Sequence, residues 1–366
     1  MHLNRDEEAI LAGEKEEGSR KAMELLVALG DIYGAERLVP ISCAHLSGVS
    51  YKTIAEGGIS LLEDMALDAR VCVPTTLNPA GMDRERWKEM GISPRFADRQ
   101  DHIIKCYERL GVTSDCSCTP YLGTNVPKRG QHIAWAESSA LSFANSAVGA
   151  KTNREGGPGA LAAAIIGRTP EYGLHIDANR APGVVIEVEG DDIDYSMLGQ
   201  AAGAVAGTRI PYFKGIRPTV DQLKALAAAM AASGSVAMFH VEGITPEADA
   251  FSVAGLERVA IGRKELDRAR EQVNTGTDPE LIAFGCPHLS VDEIRQLASM
   301  LKGRSRRGDA EVWFCTSRHT LAQCPRESKE LERFGKLVCD TCMVVTPIEE
   351  RFKCTATNSG KACNYL

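Results

Sequence analysis

The residues of this chain best suited to chemistry are its cysteines, which number 12 in 366 residues. Cys72 and Cys106 stand among apolar residues, and this setting predicts buried thiols that act as small hydrophobic side chains. Seven others stand in polar, turn-rich stretches, where thiols more often bind metals or react. They are Cys116, Cys118, Cys286, Cys339, Cys342, Cys354 and Cys363.

Three kinds of thiol site are compatible with these cysteines. Cys339 and Cys342 form a C-x2-C half-site for zinc, but Cys354 and Cys363 have eight residues between them instead of the usual two to four. The same pair could be a redox dithiol, although such pairs begin a helix and "MVVTP" reads as a strand. The third possibility is an iron–sulfur cluster whose thiolate ligands come from distant loops. The spacing alone leaves all three possibilities open.

Two further kinds of polar segment are candidates for binding an anion. "TNREGGPGALAAAIIG" leads a glycine-rich loop into a helix, where free N–H groups and Arg154 are suited to a carboxylate or phosphate. A packing turn with Arg154 in a surface ion pair explains the same residues equally well. The turns "HLSGVSYKT" and "TTLNPAGMD" carry hydroxyl, amide and backbone donors, or are turns only. His45 stands between apolar neighbours, which favours a structural histidine.

The elements that position these residues are of the α/β type. An apolar i, i+3, i+4, i+7 pattern predicts a helix within the first 30 residues that ends at Gly30. From about residue 184, the strand-like segments "GVVIEVEG", "SVAMFHVEG", "AEVWFCTS" and "LVCDTCMVV" alternate with helical ones, which predicts parallel sheets. Ligands bind beyond the carboxyl ends of such strands, where Cys286, Cys315 and Cys342 stand. We expect two domains, 1–183 and 184–366.

Composition narrows the class of protein. The net charge is −7 and no basic stripe is present, so no nucleic-acid partner is expected. No apolar run reaches the roughly 18 residues of a membrane span, and the N-terminus lacks the apolar segment of a signal peptide. We therefore expect a cytoplasmic protein with no membrane partner. Cysteines in that reducing compartment are expected to be free thiols.

Several motifs, taken in order along the chain, resemble the aconitase X family. They are "GVSYKTI", "TTLNPAGMD", the block from "CTPYLGTNVPKRG" to "RTPEYGLH", "GCPHLS" and "DTCMVVTP". The resemblance covers essentially the whole chain and is closest to the archaeal type. It implies aconitase-like multi-layer domains, with parallel sheets and helices around a central cluster cleft. It also implies a hydro-lyase of isoprenoid synthesis that dehydrates (R)-5-phosphomevalonate to trans-anhydromevalonate 5-phosphate.

The same resemblance implies the cofactor and its ligands. Cys118, Cys286 and Cys342 occupy the family's cluster positions, and a 4Fe–4S cluster held by three thiolates keeps one iron without a cysteine ligand. That iron acts as a Lewis acid on the hydroxyl that leaves. By this assignment Cys116 and the remaining cysteines are spare thiols.

Substrate contacts and a partner are implied in the same way. The expected contacts with a small phosphorylated hydroxy acid are Gly48, Val49, Ser50, Asn78, Pro79, Glu137, Ser138, Arg154 and Lys361, of which Arg154 and Lys361 compete for the phosphate. The general base of aconitase-type enzymes is a serine on a swivelling domain. That domain is not found in this chain, so we expect it on a separate small subunit. The alternatives are a dehydratase of cis-3-hydroxy-L-proline or another small hydroxy acid, and a zinc-stabilised scaffold without activity.

Overall fold

Parallel strands dominate the sheets of this protein. The computed structural model describes residues 1–366. It contains one three-stranded sheet in the order β3-β2-β4 and two four-stranded sheets in the orders β8-β7-β6-β9 and β12-β11-β10-β13. Every strand pair in these three sheets is parallel, and only the two-stranded pair β1-β5 is antiparallel. The predicted α/β class with several parallel sheets is therefore confirmed.

The strands have two to six residues, except β10, which has nine. They are β1 (Leu38–Pro40), β2 (Ala44–Leu46), β3 (Thr75–Leu77), β4 (Ala134–Trp135), β5 (Arg168–Pro170), β6 (Val184–Val188), β7 (Pro211–Lys214), β8 (His240–Val241), β9 (Arg258–Ile261), β10 (Leu281–Leu289), β11 (Glu311–Thr316), β12 (Lys336–Cys339) and β13 (Thr355–Thr357).

Helices connect and cover the strands, and several begin at a side-chain cap such as Ser50, Ser93 or Thr219. They are α1 (Arg5–Leu11), α2 (Glu17–Tyr33), α3 (Tyr51–Met65), α4 (Pro94–Arg109), α5 (Ser138–Phe143), α6 (Gly157–Ile166), α7 (Tyr195–Ala206), α8 (Val220–Ser233), α9 (Arg263–Val273), α10 (Val291–Leu301), α11 (Arg318–Gln323), α12 (Pro325–Glu332) and α13 (Gly360–Cys363). None of them combines the length and the apolar character that crossing a bilayer requires.

The hydrophobic cores link distant parts of the chain. One core packs the sheet β3-β2-β4 against helices α2, α3, α4 and α6. A second core joins Ile133 and Trp135 to Phe213 and Leu226, and therefore includes residues from both sides of position 183. The division into domains 1–183 and 184–366 thus stays a prediction.

Two predicted element ends are wrong for identifiable reasons. Helix α2 continues past Gly30, which is buried in close contact with Met1, and the left-handed cap is Gly34 with φ +68°. The strand expected in "SVAMFHVEG" shrinks to His240–Val241. Just before it, Phe239 N–H donates to Ser146 Oγ and Ala237 C=O accepts from Asn145 Nδ2, so side chains occupy backbone groups that a sheet would pair.

The structure also differs from two expectations about the surroundings of cysteines. The segment after Cys342 is a turn and not a strand, because the N–H group of Thr346 turns back to the Cys342 carbonyl. The strand that argued against a redox dithiol at Cys339 and Cys342 is therefore absent at this point. Cys106 is buried as expected, whereas Cys72 is exposed, because it lies before strand β3 and outside the sheet.

Candidate active site

Polar residues follow each strand of the three-stranded sheet at its carboxyl end. The loop after β2 carries residues 48–50, Asn78 follows β3 directly, and Glu137 follows β4 after one residue. Because parallel strands end at the same edge, these loops lie side by side. The backbone continues the ladder beyond the strands, since Asn78 N–H donates to Leu46 C=O at 2.8 Å and Ala136 N–H donates to His45 C=O at 2.9 Å.

The carboxyl end of a second parallel sheet brings the remaining residues to the same place. Cys286 lies in β10 beside an irregularity in its pairing, Cys342 follows β12, and Lys361 lies on helix α13 just after β13. The two sheet edges are tied together where Ser50 Oγ donates to Val345 C=O at 2.8 Å. Predicted residues from both halves of the chain, with the exception of Arg154, therefore meet at one site.

Cys118, Cys286 and Cys342 are all buried at this site, and their thiols are close enough to influence one another. The neighbouring Cys286 thiol, together with the backbone N–H groups of Val344 and Val345, lowers the pKa of Cys342 to about 7. Burial raises the pKa of Cys118 above its ordinary value. The site thus holds three buried thiols, of which Cys342 is the most readily ionised.

Two groups prepare the site for negative charge. The backbone N–H of His288 donates to Cys118 Sγ at 3.2 Å, and its Nε2 bonds the Thr341 carbonyl at 2.9 Å. The ammonium group of Lys361 favours the ionised forms of all three thiols. The contribution of His288 was missed from the sequence, although it stands two residues after Cys286 in the quoted motif "GCPHLS".

Glu137 and Lys361 form a buried ion pair beside the thiols. Lys361 Nζ contacts Glu137 Oε1 and also donates to Ser139 Oγ at 3.3 Å. The side chains are only 5% and 11% exposed. Burial alone raises the pKa of Glu137, but Lys361 outweighs this effect and brings that pKa down to about 2. Ser139 Oγ and Ala140 N–H complete the bonding of the carboxylate at 2.6 Å each, so Glu137 is a fixed anion.

The donor set fits an iron–sulfur cluster better than a zinc ion. A zinc ion needs its thiolates at about 2.3 Å from one point. No group of three or more His, Cys, Asp or Glu side chains converges tightly enough to hold a single metal ion. A cluster spreads its thiolate ligands over separate irons, and all-thiolate ligation is typical of it. The four C-terminal cysteines of the zinc alternative also form no such group.

The spare cysteines have other surroundings. Cys116 lies in the hydrophobic core under the first sheet with φ +45°, and burial raises the pKa of its thiol. Cys339 lies near Asp83, Asp340 and Arg318. Cys315 is fully buried, and it lies close enough to Cys342 that a charge on Cys342 raises the pKa of Cys315. Cys354 and Cys363 are half-buried and line a separate groove.

The remaining predicted contacts divide into two sets. The loops at the first sheet edge hold Gly48, Val49, Ser50, Asn78, Pro79 and Glu137, and Ser138 follows as the first residue of helix α5. Arg154 is exposed and donates to the Ala231 carbonyl in the last turn of α8, with no hydrogen bond to any of them. A groove of 1610 Å³ opens beside the site, with Lys52, Glu349 and Ser359 in its wall but none of the three thiols.

The buried histidine of the first sheet makes a prediction about acid stability. Burial lowers the pKa of His45 to about 4, against about 6.5 in an unfolded chain. The unfolded state therefore binds more protons between these values, so the free energy of unfolding falls as the pH drops from 6.5 to 4, by on the order of 3 kcal/mol. Urea denaturation across this range should show a shallower slope for His45→Gln than for the wild type, with the remainder due to other histidines whose pKa is lowered by burial, such as His132 and His288. His102→Gln, at a half-buried histidine that binds Glu63 near the surface, is the control, and an equal slope in both variants would contradict the assignment.

Comparison with known proteins agrees with this geometry. Family models described as "Aconitase X first domain", "Aconitase X second domain" and "Aconitase X third domain" match residues 1–178, 182–271 and 279–366. The chain is 49% and 48% identical to proteins of Methanocaldococcus jannaschii and Methanosarcina mazei named "Phosphomevalonate dehydratase large subunit". The alignments cover 100% of this chain and 95% and 92% of those relatives.

A solved structure and a more distant enzyme complete the comparison. The holo-form crystal structure of Thermococcus kodakaraensis aconitase X superposes with a TM-score of 0.93 at 44% identity, covering 100% of this chain and 95% of that one. A "Cis-3-hydroxy-L-proline dehydratase" of Pseudomonas aeruginosa is 36% identical over 99% of this chain but only 66% of its own length. With three family domains matched along the whole chain and relatives of this identity, the protein belongs to the aconitase X family.

Proposed function

We propose that this chain is the iron–sulfur-bearing large subunit of a hydro-lyase that converts (R)-5-phosphomevalonate to trans-anhydromevalonate 5-phosphate. The observation that carries the chemistry is the meeting of three buried thiols and one buried lysine at the ends of two parallel sheets. The choice of substrate follows the printed names of the relatives that are 48–49% identical over the whole chain. The hydroxyproline dehydratases, at 34–36% identity, are the second candidate.

We assign Cys118, Cys286 and Cys342 as the ligands of a 4Fe–4S cluster with one iron free of cysteine. When bound, such a cluster supplies a Lewis acid that assists departure of the substrate hydroxyl. The chain's own residues prepare for it: the His288 N–H and the Lys361 ammonium offset the charge of the thiolates. Burial of all three thiols keeps water away from them. These thiols require a reducing compartment, so a cytoplasmic location is part of the proposal.

We assign the loops at the first sheet edge to substrate binding. Residues 48–50, Asn78 and Pro79 lie at this edge, where Gly48 and Val49 offer backbone groups and Asn78 offers its amide, while the Ser50 hydroxyl is already bonded to the Val345 carbonyl. Lys361 is our first candidate for the phosphate because it lies beside the thiols, and Arg154 is the competing one. Glu137 holds Lys361 in place and keeps it protonated, while the hydroxyl of Ser138, the first residue of helix α5, donates to the Glu137 carboxylate at 3.4 Å.

The proton at the carbon next to the carboxylate must be taken by a general base. We assign no residue of this chain to that role and place it, as a serine, on a small partner subunit. The relatives are named as large subunits, which implies such a partner. The hydroxyproline dehydratases support a division into a large and a small part, since this chain matches only 66% and 65% of their length.

Reconstitution tests the proposal directly. The chain is purified without oxygen, combined with its candidate small subunit, and assayed with (R)-5-phosphomevalonate and with cis-3-hydroxy-L-proline. We expect a brown protein, dehydration of the phosphorylated acid only, and no turnover by either subunit alone. Turnover of hydroxyproline without phosphomevalonate would contradict the substrate. A colourless protein loaded with zinc would contradict the whole enzyme proposal.

A further inference from the structure

The first sheet aligns a short row of polar side chains that lead toward the site. In the parallel register His45 on β2 lies opposite Thr76 on β3 and Trp135 on β4. Side chains alternate between faces along a strand, so residues two positions apart share a face. Asn78 stands two residues after Thr76 and therefore lies on the same face as His45, one step nearer the carboxyl edge. His45, Thr76 and Asn78 form the polar row.

Hydrogen bonds within the polar row determine which nitrogen of His45 carries the proton. Asn125 Nδ2 donates to Thr76 Oγ1 at 3.1 Å and to the Ala44 carbonyl at 2.9 Å. His45 Nδ1 lies 2.8 Å from the same Thr76 Oγ1, which has no other bonded neighbour for its proton. The hydroxyl therefore donates to Nδ1. In a neutral imidazole the remaining proton is then on Nε2, and burial keeps the ring neutral by lowering its pKa to about 4.

Two fully buried atoms at the end of the polar row have no hydrogen-bond partner in the structure. They are His45 Nε2, a donor, and Asn78 Oδ1, an acceptor. Leaving either unpaired costs about 1–3 kcal/mol. The Asn78 amide is also near enough to act on the pKa of His45. Asn78 as a whole is half-buried, and its oxygen is the buried end of the amide, so its NH2 group is the accessible end.

We propose that His45 is a positioning residue whose Nε2–H group donates to Asn78 Oδ1 and so turns the Asn78 NH2 group toward the substrate. This inference rests on the proposed function, because it takes the anionic hydroxy acid as the ligand of Asn78. The amide rotates easily by a half-turn, which exchanges its NH2 group and its oxygen. Without the His45 donor, the oxygen turns toward an anionic substrate half of the time and repels it.

The test is a double-mutant cycle on the reconstituted complex, with His45→Phe, Asn78→Ala and the double variant. We expect His45→Phe to raise KM about tenfold with kcat changed less than about twofold, because a binding contact is lost and not a reacting group. The double variant should be no worse than Asn78→Ala, since His45 acts through Asn78. His45→Gln, which places an amide N–H near the position of Nε2, should recover most of the affinity.

The proposal would be overturned if the increases in KM of the two single variants multiplied in the double variant, or if His45→Phe left KM unchanged. The cycle is run on whichever of the two hydroxy acids the wild-type complex dehydrates, so a wrong substrate and a wrong role for His45 give different results. Nitrogen-15 NMR of the histidine-labelled protein supplies a readout without turnover, with the His45 signal assigned from His45→Gln. We expect a proton on Nε2 only at neutral pH, and a proton on Nδ1 would contradict the hydrogen-bond order.

Discussion

Replacing Cys118 with Ser is expected to remove the brown colour of the protein and to lower its dehydratase activity about 1000-fold. A Lewis acid contributes several kcal/mol to such a reaction, and each 1.4 kcal/mol is a factor of ten. A serine hydroxyl is a much poorer iron ligand than a thiolate, so the cluster is lost with the thiol. The measurements are visible absorbance and iron content of anaerobically purified protein, followed by turnover with the small subunit.

Cys116→Ser is the matched control, because it makes the same change two residues away. Its thiol is packed in the hydrophobic core and not among the three site thiols. We expect it to keep colour, iron and activity, with a loss of unfolding free energy of about 1–2 kcal/mol for burying a hydroxyl. If Cys116→Ser lost the cluster and Cys118→Ser kept it, the ligand assignment would be wrong.

Replacing Lys361 with Met is expected to lower the free energy of unfolding by about 3–5 kcal/mol at neutral pH. Methionine keeps the length of the side chain but leaves Glu137 as a buried, unpaired charge, which is the costly way to break a buried pair. In the wild type, the Glu137 pKa of about 2 lies below its ordinary value, so this stability is lost as pH falls through that pKa. In the variant, burial raises the pKa of Glu137, and lowering the pH should restore stability. Urea denaturation at several pH values measures both trends.

Two further variants separate the buried charge from the chemistry. Lys361→Met combined with Glu137→Gln removes both charges, so most of the stability should return, while activity stays low because the cation beside the thiols is still missing. Lys105→Met breaks an exposed pair with Asp101, and its effect should stay below about 0.5 kcal/mol. Equal losses in Lys361→Met and Lys105→Met would show that the buried pair has no special role.

The α/β class, the parallel sheets and the family follow from the sequence because strand and helix periodicity and motif order are local or linear properties. The ends of helices and strands were harder to predict from the sequence. Gly30 and Gly34 both look like helix caps, and only packing against Met1 decides between them. The strand expected before His240 was lost to the side chains of Asn145 and Ser146, about 90 residues away in sequence.

Cys116 and Cys118 show that sequence spacing alone does not distinguish a proposed cluster ligand from a spare thiol. Both stand in the same polar stretch, and only the family resemblance separated them. In the structure the difference lies in the backbone, because Cys116 adopts φ +45° and faces the core, while Cys118 meets the His288 N–H group. His45 was interpreted as structural because its chain neighbours are apolar. Its alignment with Thr76 depends on strand register, which a single sequence does not reveal.

The ties between the two sheet edges have a consequence for maturation. Glu137 and Lys361 are separated by 224 residues, and Ser50 and Val345 by 295. Contacts of such long range form late in folding, after the entropy of closing large loops has been overcome. No early intermediate can therefore present the three thiols and the lysine together. For the cluster that we propose, we therefore expect insertion into an already folded acceptor, so that a fault in folding gives a colourless, unloaded protein.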